Sequence, residues 1–355
     1  MGSKALFRAG RVAALWLGLP LAMAATSGGA HAACHLAQVA ALQVINDSGT
    51  PLVKAKINGQ DVVFAVDTGN ARTSLEMAAA QKLGLRLISA PGGMRMYGAG
   101  GEINVHQTTV DLEFGGAQAH HLDLLVVGQP GRDFGFAALI GWDLLQHWDV
   151  EFDLAHHVIR LLTPDGCKGD DVAYWASAYS KAPLGWNEMY DPEIKLDVLL
   201  NGRREQAELD SGAERSTVTP EAAAQAGVTP ETKPEDQSYG LGPAAISVST
   251  ATFKTFSIGG EEIKNARIEV ADMFSKDTYT ETGSLLRHQV EDLPQMLLGA
   301  DFLRAHRVMI ATDQRVAYFT YAGGPVFDLG QARAAPSPAT GTQVQAGPAA
   351  KAQDK

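Results

Sequence analysis

The chain contains two copies of one sequence pattern, and this duplication restricts the possible fold more than any other feature. Asp67 is matched by Asp210 and Gly84 by Gly227, each pair being 143 residues apart, and an Asn-Gly dipeptide precedes each aspartate at the same distance. Between these points DTGNARTSLEMAAAQKLGL aligns with DSGAERSTVTPEAAAQAGV without a gap. A repeat of this length corresponds to a structural unit, so the sequence predicts two homologous lobes.

Each copy predicts a β-hairpin, then an aspartate loop, then a short helix. Two runs of apolar and β-branched residues flank Asn-Gly, which is the strongest short hairpin signal. Thr73 and Glu76 have the spacing of a capping box, and Thr219-Pro220 predicts a helix cap followed by a first-turn proline. The predicted strands are 52–57 and 61–66 in the first copy, and 194–200 and 203–209 in the second.

Strand-rich copies with only short helices predict an all-β protein made of two lobes. The first lobe is predicted at 35–163 and the second at 191–328. The segment 164–190 contains two tryptophans with several glycines and prolines, and is predicted to be the linker.

The two ends of the sequence differ from the lobes. Residues 1–32 have a basic start, an apolar stretch too short for a good membrane span, and an A-x-A cleavage motif at 30–32, as in a secretory signal peptide. Residues 331–355 have almost no large apolar side chains, which predicts a disordered tail. No later segment has the pattern of a membrane span. The mature protein is therefore expected to be exported, to the periplasm or the extracellular space.

Cysteine count and charge limit the partners. Cys34 and Cys167 are the two cysteines of the chain, and one pair in an exported protein predicts a disulfide; two free or buried thiols are the alternative. The net charge of −11 disfavours nucleic acids and anionic membrane surfaces. Adjacent histidines at 120–121 and 156–157 point to opposite faces of a strand, so we expect no metal site and no cofactor.

The duplicated aspartate is the candidate catalytic feature. A single Asp-Thr-Gly is most often a turn, but a turn gains nothing from being duplicated with its whole setting. Two carboxyl groups brought together across a two-fold axis share a proton, so that one activates a water while the other polarises a carbonyl. We predict that Asp67 and Asp210 form this pair. The residues predicted to support it, through small size or through hydroxyls that bond across the axis, are Thr68, Gly69, Ser211 and Gly212.

The two aspartates are expected to differ in charge. Asn70 can donate a hydrogen bond near Asp67, whereas Ala213 supplies no hydroxyl near Asp210. Asp67 is therefore expected to be the ionised partner of the pair.

With these motifs the sequence resembles the aspartic peptidase clan, specifically the tandem retropepsin-like proteins of bacterial secretion. The resemblance covers both lobes and rests on 67–69, on 210–212, on glycine-rich flap segments and on the apolar pairs before Gly141 and Gly299. It implies two acid-protease β-barrel lobes that form a bilobal pseudo-dimer, with one active site in a monomeric chain. The flap and substrate-binding residues that it implies are Tyr97, Gly98, Ala99, Gly100, Tyr239 and Gly240.

The leading hypothesis is a secreted aspartic endopeptidase that hydrolyses peptide or protein substrates without a metal or a covalent intermediate. A second hypothesis is a pseudo-peptidase that uses the cleft to bind peptides or a partner protein. A third keeps the chemistry but pairs lobes from two chains, giving homodimeric sites.

Overall fold

The computed structural model describes residues 34–90, 96–187, 191–231, 236–274, 279–281, 287–289, 293–327 and 337–338. The predicted signal peptide, 1–32, lies outside the described residues. So does most of the predicted disordered tail, 331–355, of which only Ser337–Pro338 is described, as a two-residue strand.

Strands make up most of the described chain. The first half contains β1 (His35–Gln43), β2 (Leu52–Ile57), β3 (Gln60–Val66), β4 (Ser74–Glu76), α1 (Met77–Lys82), β5 (Ile88–Ser89), β6 (Met96–Gly98), β7 (Gly101–Ile103), β8 (Val105–Phe114), β9 (Ala117–Val127), β10 (Arg132–Asp133), β11 (Ala138–Ile140), α2 (Trp142–Leu145), β12 (Asp149–Asp153), a 3₁₀ turn (Leu154–His156) and β13 (Val158–Asp165). The second half contains β14 (Ser180–Pro183), β15 (Gly185–Asn187), β16 (Asp191–Leu200), β17 (Arg203–Leu209), β18 (Thr217–Val218), α3 (Pro220–Gln225), β19 (Asp236–Tyr239), β20 (Ala245–Ile258), β21 (Glu261–Ala271), β22 (Tyr279–Glu281), β23 (Arg287–Gln289), β24 (Met296–Leu298), α4 (Ala300–Ala305), β25 (His306–Ala311), β26 (Val316–Tyr321) and β27 (Ser337–Pro338).

The sheets of the two lobes share one strand order, and the second sheet has β15 as an additional edge strand. The first lobe is a seven-stranded sheet in the order β2-β3-β11-β4-β9-β8-β5, which an extra β2–β8 pairing closes into a barrel-like shape. The second is β15-β16-β17-β24-β18-β21-β20-β19, closed in the same way by β16–β20. The predicted all-β, two-lobed fold is confirmed.

The predicted hairpins are present in both lobes. β2 pairs with β3 and β16 with β17 in antiparallel register, and each connection is an Asn-Gly dipeptide. The φ angles are 50° at Asn58 and 77° at Gly59, then 52° at Asn201 and 81° at Gly202. Both central residues of such a turn need positive φ, and this requirement explains the repeated Asn-Gly.

A third sheet joins the lobes. Its order is β1-β13-β12-β25-β26-β14, so strands of the first lobe pair with strands of the second at the β12–β25 contact. The segment predicted to be the linker, 164–190, contributes two strands: β14 pairs with β26, and β15 pairs with β16. The predicted disulfide between Cys34 and Cys167 is present beside the β1–β13 pair. The lobes are therefore connected by continuous backbone hydrogen bonding.

One hydrophobic core runs through both lobes. It includes fully buried residues of the first-lobe hairpin, such as Phe64, and of the second lobe, such as Phe253. Trp142 of α2 packs edge-on against Trp186 of β15, with ring centroids 5.7 Å apart. No helix in the described part of the chain is long enough to cross a bilayer.

The two helices that follow the aspartate loops start differently from each other. Thr219 caps α3 by accepting a hydrogen bond from the Ala222 N–H, with proline in the first turn, as predicted. In the first lobe the predicted capping box of Thr73 and Glu76 is wrong. Glu76 itself is the N-cap of α1, because the Thr73 hydroxyl is bonded to Asp143 instead.

Candidate active site

The two aspartates lie at equivalent places, each directly after the second hairpin strand. The Asp67 N–H donates to the Ile140 carbonyl, and the Asp210 N–H donates to the Leu298 carbonyl, both at 3.0 Å. β11 runs parallel to β3, and β24 runs parallel to β17. Each aspartate loop is thus held in place by the short apolar strand of its own lobe.

Backbone N–H groups donate hydrogen bonds to both carboxylates. Oδ1 of Asp67 accepts from the N–H groups two and three residues further along, at 3.0 and 3.1 Å. Oδ1 of Asp210 accepts in the same way at 2.8 and 3.0 Å. A Cβ on Gly69 would lie 2.5 Å from Cγ of Asp210, and one on Gly212 would overlap the carboxyl of Asp67. The loops approach this closely because both positions are glycine.

Hydroxyl groups link the two loops across the pseudo-two-fold axis. The Thr68 N–H donates to Ser211 Oγ at 3.0 Å, and the Ser211 N–H donates to Thr68 Oγ1 at 2.9 Å. Thr68 Oγ1 donates to the Leu209 carbonyl at 2.6 Å, and Ser211 Oγ donates to the Val66 carbonyl at 2.8 Å. Thr68 and Ser211 are both buried. Buried, fully satisfied networks of this kind fix geometry strongly, so the four bonds set the distance between the carboxyl groups.

The carboxyl groups of Asp67 and Asp210 behave as one titrating pair. Burial raises the pKa of Asp67 well above its usual range, and the negative charge of Asp210 and a hydrogen bond between the two side chains raise it further. Burial also raises the pKa of Asp210, but hydrogen bonds from the N–H groups of Ala213, Gly212 and Gly69 oppose this rise. Burial therefore raises the pKa of both members of the pair, which holds one proton between them.

The prediction that Asp67 is the ionised partner stays a prediction. It depended on a hydrogen bond from the Asn70 side chain to Asp67. The Asn70 side-chain amide instead donates to Ser74 Oγ at 3.2 Å, and the Asn70 main-chain N–H donates to Asp67 Oδ1 at 3.1 Å.

A third carboxyl group lies near the pair. Glu208 is buried two residues before Asp210, and burial raises its pKa, followed by the negative charges of Glu193 and of the aspartate pair. Its cross-strand partner is Lys195, whose ammonium lies 3.5 Å from Glu193. The equivalent position in the first lobe is Ala65. Sequence reasoning missed Glu208, although the aligned copies differ here, with alanine in the first copy and glutamate in the second.

A carboxylate outside the aspartate loop braces it in the first lobe. Oδ1 of Asp143 accepts from the Thr73 N–H at 2.7 Å and from the Thr73 hydroxyl at 2.8 Å. The Gly141 N–H in turn donates to Thr73 Oγ1 at 3.0 Å. The chain following Asp67 is thereby tied to the start of α2.

The second lobe repeats this brace. Asp301 accepts from the Ser216 N–H at 2.9 Å and from the Ser216 hydroxyl at 2.6 Å, and the Gly299 N–H donates to Ser216 Oγ at 2.9 Å. Burial raises the pKa of Asp301 to about 6. Sequence reasoning missed Asp143 and Asp301. The signal was present, since both occupy the same place in LIGWDLL and LLGADFL.

Both predicted flap segments form hairpins over the cleft. β6 pairs with β7, and Tyr97 lies opposite Glu102; β19, which ends at Tyr239, pairs with β20. The two tips bond to each other through backbone groups. The Gly242 N–H donates to the Ala99 carbonyl at 3.1 Å, and the Ala244 N–H donates to the Gly100 carbonyl at 3.0 Å. The cleft is therefore covered from both lobes.

An arginine of the first lobe holds the flap of the second. Nη1 of Arg132 donates to the Gly242 carbonyl at 2.6 Å and to the Gly240 carbonyl at 3.4 Å, and Nη2 donates to the Pro243 carbonyl at 3.1 Å. Its guanidinium lies 5.1 Å from the centre of the Tyr239 ring, within range of a cation–π contact. Nothing in the sequence marks Arg132, because these side-chain contacts are all with residues more than a hundred positions away.

A second arginine makes the reciprocal connection. Arg304 of α4 donates from Nε and Nη2 to the Gly49 carbonyl at 3.1 and 2.9 Å, and from Nη1 to the Asn46 carbonyl at 3.2 Å. The Thr50 hydroxyl donates to the Gly212 carbonyl at 2.7 Å. The loop 46–50 of the first lobe is thus fixed to the aspartate loop and to α4 of the second.

The space beneath the flaps is a cleft of about 610 Å³ that contains both aspartates. Among the described residues, no group of three or more His, Cys, Asp or Glu side chains is arranged to hold a metal ion. The cleft is lined mainly by apolar side chains, among them Leu52, Met96, Ile103, Phe134, Phe136, Leu139, Ile246, Val248, Met273 and Leu297.

Two family models match the chain, one in each lobe. Residues 53–147 match the family described as "gag-polyprotein putative aspartyl protease", and residues 196–302 match the family described as "aspartyl protease". Together the matches cover more than half of the chain and contain both aspartate loops. No curated protein sequence matches the chain.

Proposed function

Because the chain belongs to the aspartic peptidases, with two retropepsin-like domains in tandem, we propose that it is an endopeptidase with one active site between its lobes. The observation that carries this proposal is the aspartate pair. Two buried carboxyl groups from equivalent loops share a hydrogen bond, and both have raised pKa values. A pair that holds one proton supplies a base and an acid at the same point.

The proposed reaction uses the two carboxyl groups in opposite senses. The ionised member of the pair removes a proton from a water, whose oxygen attacks the peptide carbonyl carbon, while the protonated member gives its proton to the carbonyl oxygen. The first carboxyl group then protonates the amide nitrogen, the second takes a proton from the gem-diol, and the C–N bond breaks. The products are a carboxylic acid and an amine, and the pair returns to its starting protonation.

We propose that substrates bind as extended segments beneath the flaps. Residues of both flap hairpins line the cleft, and an extended peptide can pair with a hairpin strand by strand addition. A mostly apolar wall favours substrates with apolar side chains near the cleaved bond.

The site of action and the assembly state are part of the proposal. The leader-like pattern of residues 1–32, together with a disulfide, supports export to the periplasm or the extracellular space. Both halves of the site come from one chain, joined by a shared sheet, which supports a monomer that acts as an intramolecular pseudo-dimer.

Substitution of each aspartate tests the proposal. Asp67→Asn and Asp210→Asn should each lower cleavage of an unfolded, labelled polypeptide by about 10²–10⁴-fold, because each removes one half of the acid–base pair. Asp61→Asn is the matched control, since Asp61 is exposed on β3, the same strand that leads to Asp67. Circular dichroism should be unchanged in all three variants.

Two results would contradict the proposal. One is substantial cleavage by either single variant. The other is a wild-type protein that binds peptides in the cleft but cleaves none across the acidic range, as a pseudo-peptidase would.

A further inference from the structure

The two halves of the cleft differ at positions that the pseudo-two-fold axis makes equivalent. In the second lobe, Thr217 of β18 pairs with Glu269 of β21, and both line the cleft beside Arg215. In the first lobe the same strand pairing joins Ser74 to Leu125, and neither of these lines the cleft. The cleft therefore extends further into the second lobe, and a polar group forms its floor there.

That floor is a largely buried ion pair. Nη1 of Arg215 donates to Oε1 of Glu269 at 3.0 Å, and the side chains are 14% and 3% exposed. Among the described residues the guanidinium bonds to Glu269 alone, although a guanidinium carries five N–H donors. No nitrogen of Arg215 is among the fully buried atoms of the described residues that lack a partner, so its remaining N–H groups are accessible and can donate to an acceptor that enters the cleft. The equivalent arginine of the first lobe, Arg72, is exposed.

The charges around the pair restrict what that acceptor can be. Glu269 neutralises Arg215, and Glu214 and the aspartate pair add negative charge to the same cleft. The net negative charge of the cleft would repel an incoming carboxylate, and the guanidinium of Arg215 would repel an incoming cation. A primary amide is uncharged, its oxygen accepts from Arg215, and its NH₂ donates to Glu269, whose carboxylate can accept several hydrogen bonds.

We propose that Arg215 and Glu269 form a specificity subsite that selects glutamine or asparagine at one position of the peptide substrate. The inference rests on the proposed endopeptidase function and names its substrate class. An aliphatic side chain of similar size would cover the ion pair without bonding to it. Sites that hydrogen-bond a substrate group reject the analogue that lacks it more strongly than apolar pockets discriminate by size.

Cleavage of peptide mixtures by the full chain tests the inference. The peptides differ only in the side chain at one position near the cleaved bond, and kcat/KM for each is read by mass spectrometry. At one position Gln and Asn peptides should exceed Leu and Met peptides by about 10–100-fold. In the double variant Arg215→Met with Glu269→Leu, which copies the Leu125 side of the first lobe, this preference should reverse. The control Arg72→Met should leave the profile unchanged.

Several outcomes would overturn the inference. These are a flat wild-type profile, a preference for Asp or Glu or for Lys or Arg at the position concerned, and an amide preference that persists in the double variant. If the double variant does not fold, Arg215→Lys replaces it. This variant keeps the charge but lacks the planar guanidinium, so the ratio of kcat/KM for the Gln peptide to that for the Leu peptide should fall.

The inference and the proposed function fail in different ways. A wild-type protein that cleaves no peptide contradicts the proposed function. The relative affinities of the Gln and Leu peptides for that same protein then decide the inference, and equal affinities overturn it.

Discussion

At Asp67 and Asp210 the carboxyl groups accept hydrogen bonds from main-chain N–H groups of their own loops. These bonds lower the pKa of each aspartate and so oppose the larger effect of burial. The hydroxyls of Thr68 and Ser211 bond to backbone groups of the opposite lobe. Their contribution is therefore to the spacing of the loops.

The raised pKa values of the pair predict an acid pH optimum. Catalysis needs one proton on the two carboxyl groups, and rising pH removes it at the upper macroscopic pKa of the pair. Because burial raises the pKa of both aspartates, activity should extend through mild acid before it falls. The measurement is kcat against pH for one peptide. Full activity above about pH 8 would contradict the shared-proton mechanism.

At the scale of single elements, the flap of the second lobe depends on a contact from the first. Arg132→Ala removes three hydrogen bonds to flap carbonyls and the contact with the Tyr239 ring. The flap should then cover the cleft less often, so KM should rise about tenfold while kcat changes less, since the aspartate loops are untouched. Arg132→Lys keeps the charge but lacks the planar guanidinium, so its KM should lie between those of the wild type and Arg132→Ala.

Steady-state kinetics with the three proteins measures this effect. Arg86→Ala, at an exposed arginine of the same lobe, is the control for the loss of positive charge. An unchanged KM in Arg132→Ala, or an equal rise in the control, would show that Arg132 does not position the flap.

The same elements show how far the sequence determines the fold. The hairpins, the α3 cap and the glycines after the helices follow from signals within a few residues, and the constant offset between copies predicts two lobes. Thr73 was assigned to the wrong partner because Asp143, 70 residues away, competes for its hydroxyl. Arg132 and Arg215 also make contacts with distant segments of the chain. Patterns within a few residues of sequence do not predict such contacts.

At the scale of the whole molecule, one strand pair and one disulfide join the two ends of the first lobe. β1 pairs with β13 from His35↔Asp165 onwards, and the Cys34–Cys167 bond closes a loop with a sequence separation of 133 residues at the same edge. Replacement of both cysteines by serine should lower the free energy of unfolding by up to about 4–5 kcal/mol. Denaturant unfolding measures the loss. An unchanged midpoint would show that the bond adds no stability.

The last prediction concerns whether a single chain makes the whole site. Asp67→Asn and Asp210→Asn proteins each retain one intact aspartate loop, so exchange of lobes between chains would rebuild complete sites in a mixture of the two. If lobes exchanged freely, the mixture would recover about a quarter of wild-type activity, because one site in each mixed dimer would be intact. Exchange within the native protein must break the buried Thr68–Ser211 network and the β12–β25 pairing. The mixture of native variants should therefore be no more active than the sum of its parts at any protein concentration. Recovered activity after native mixing would show that the lobes pair between chains.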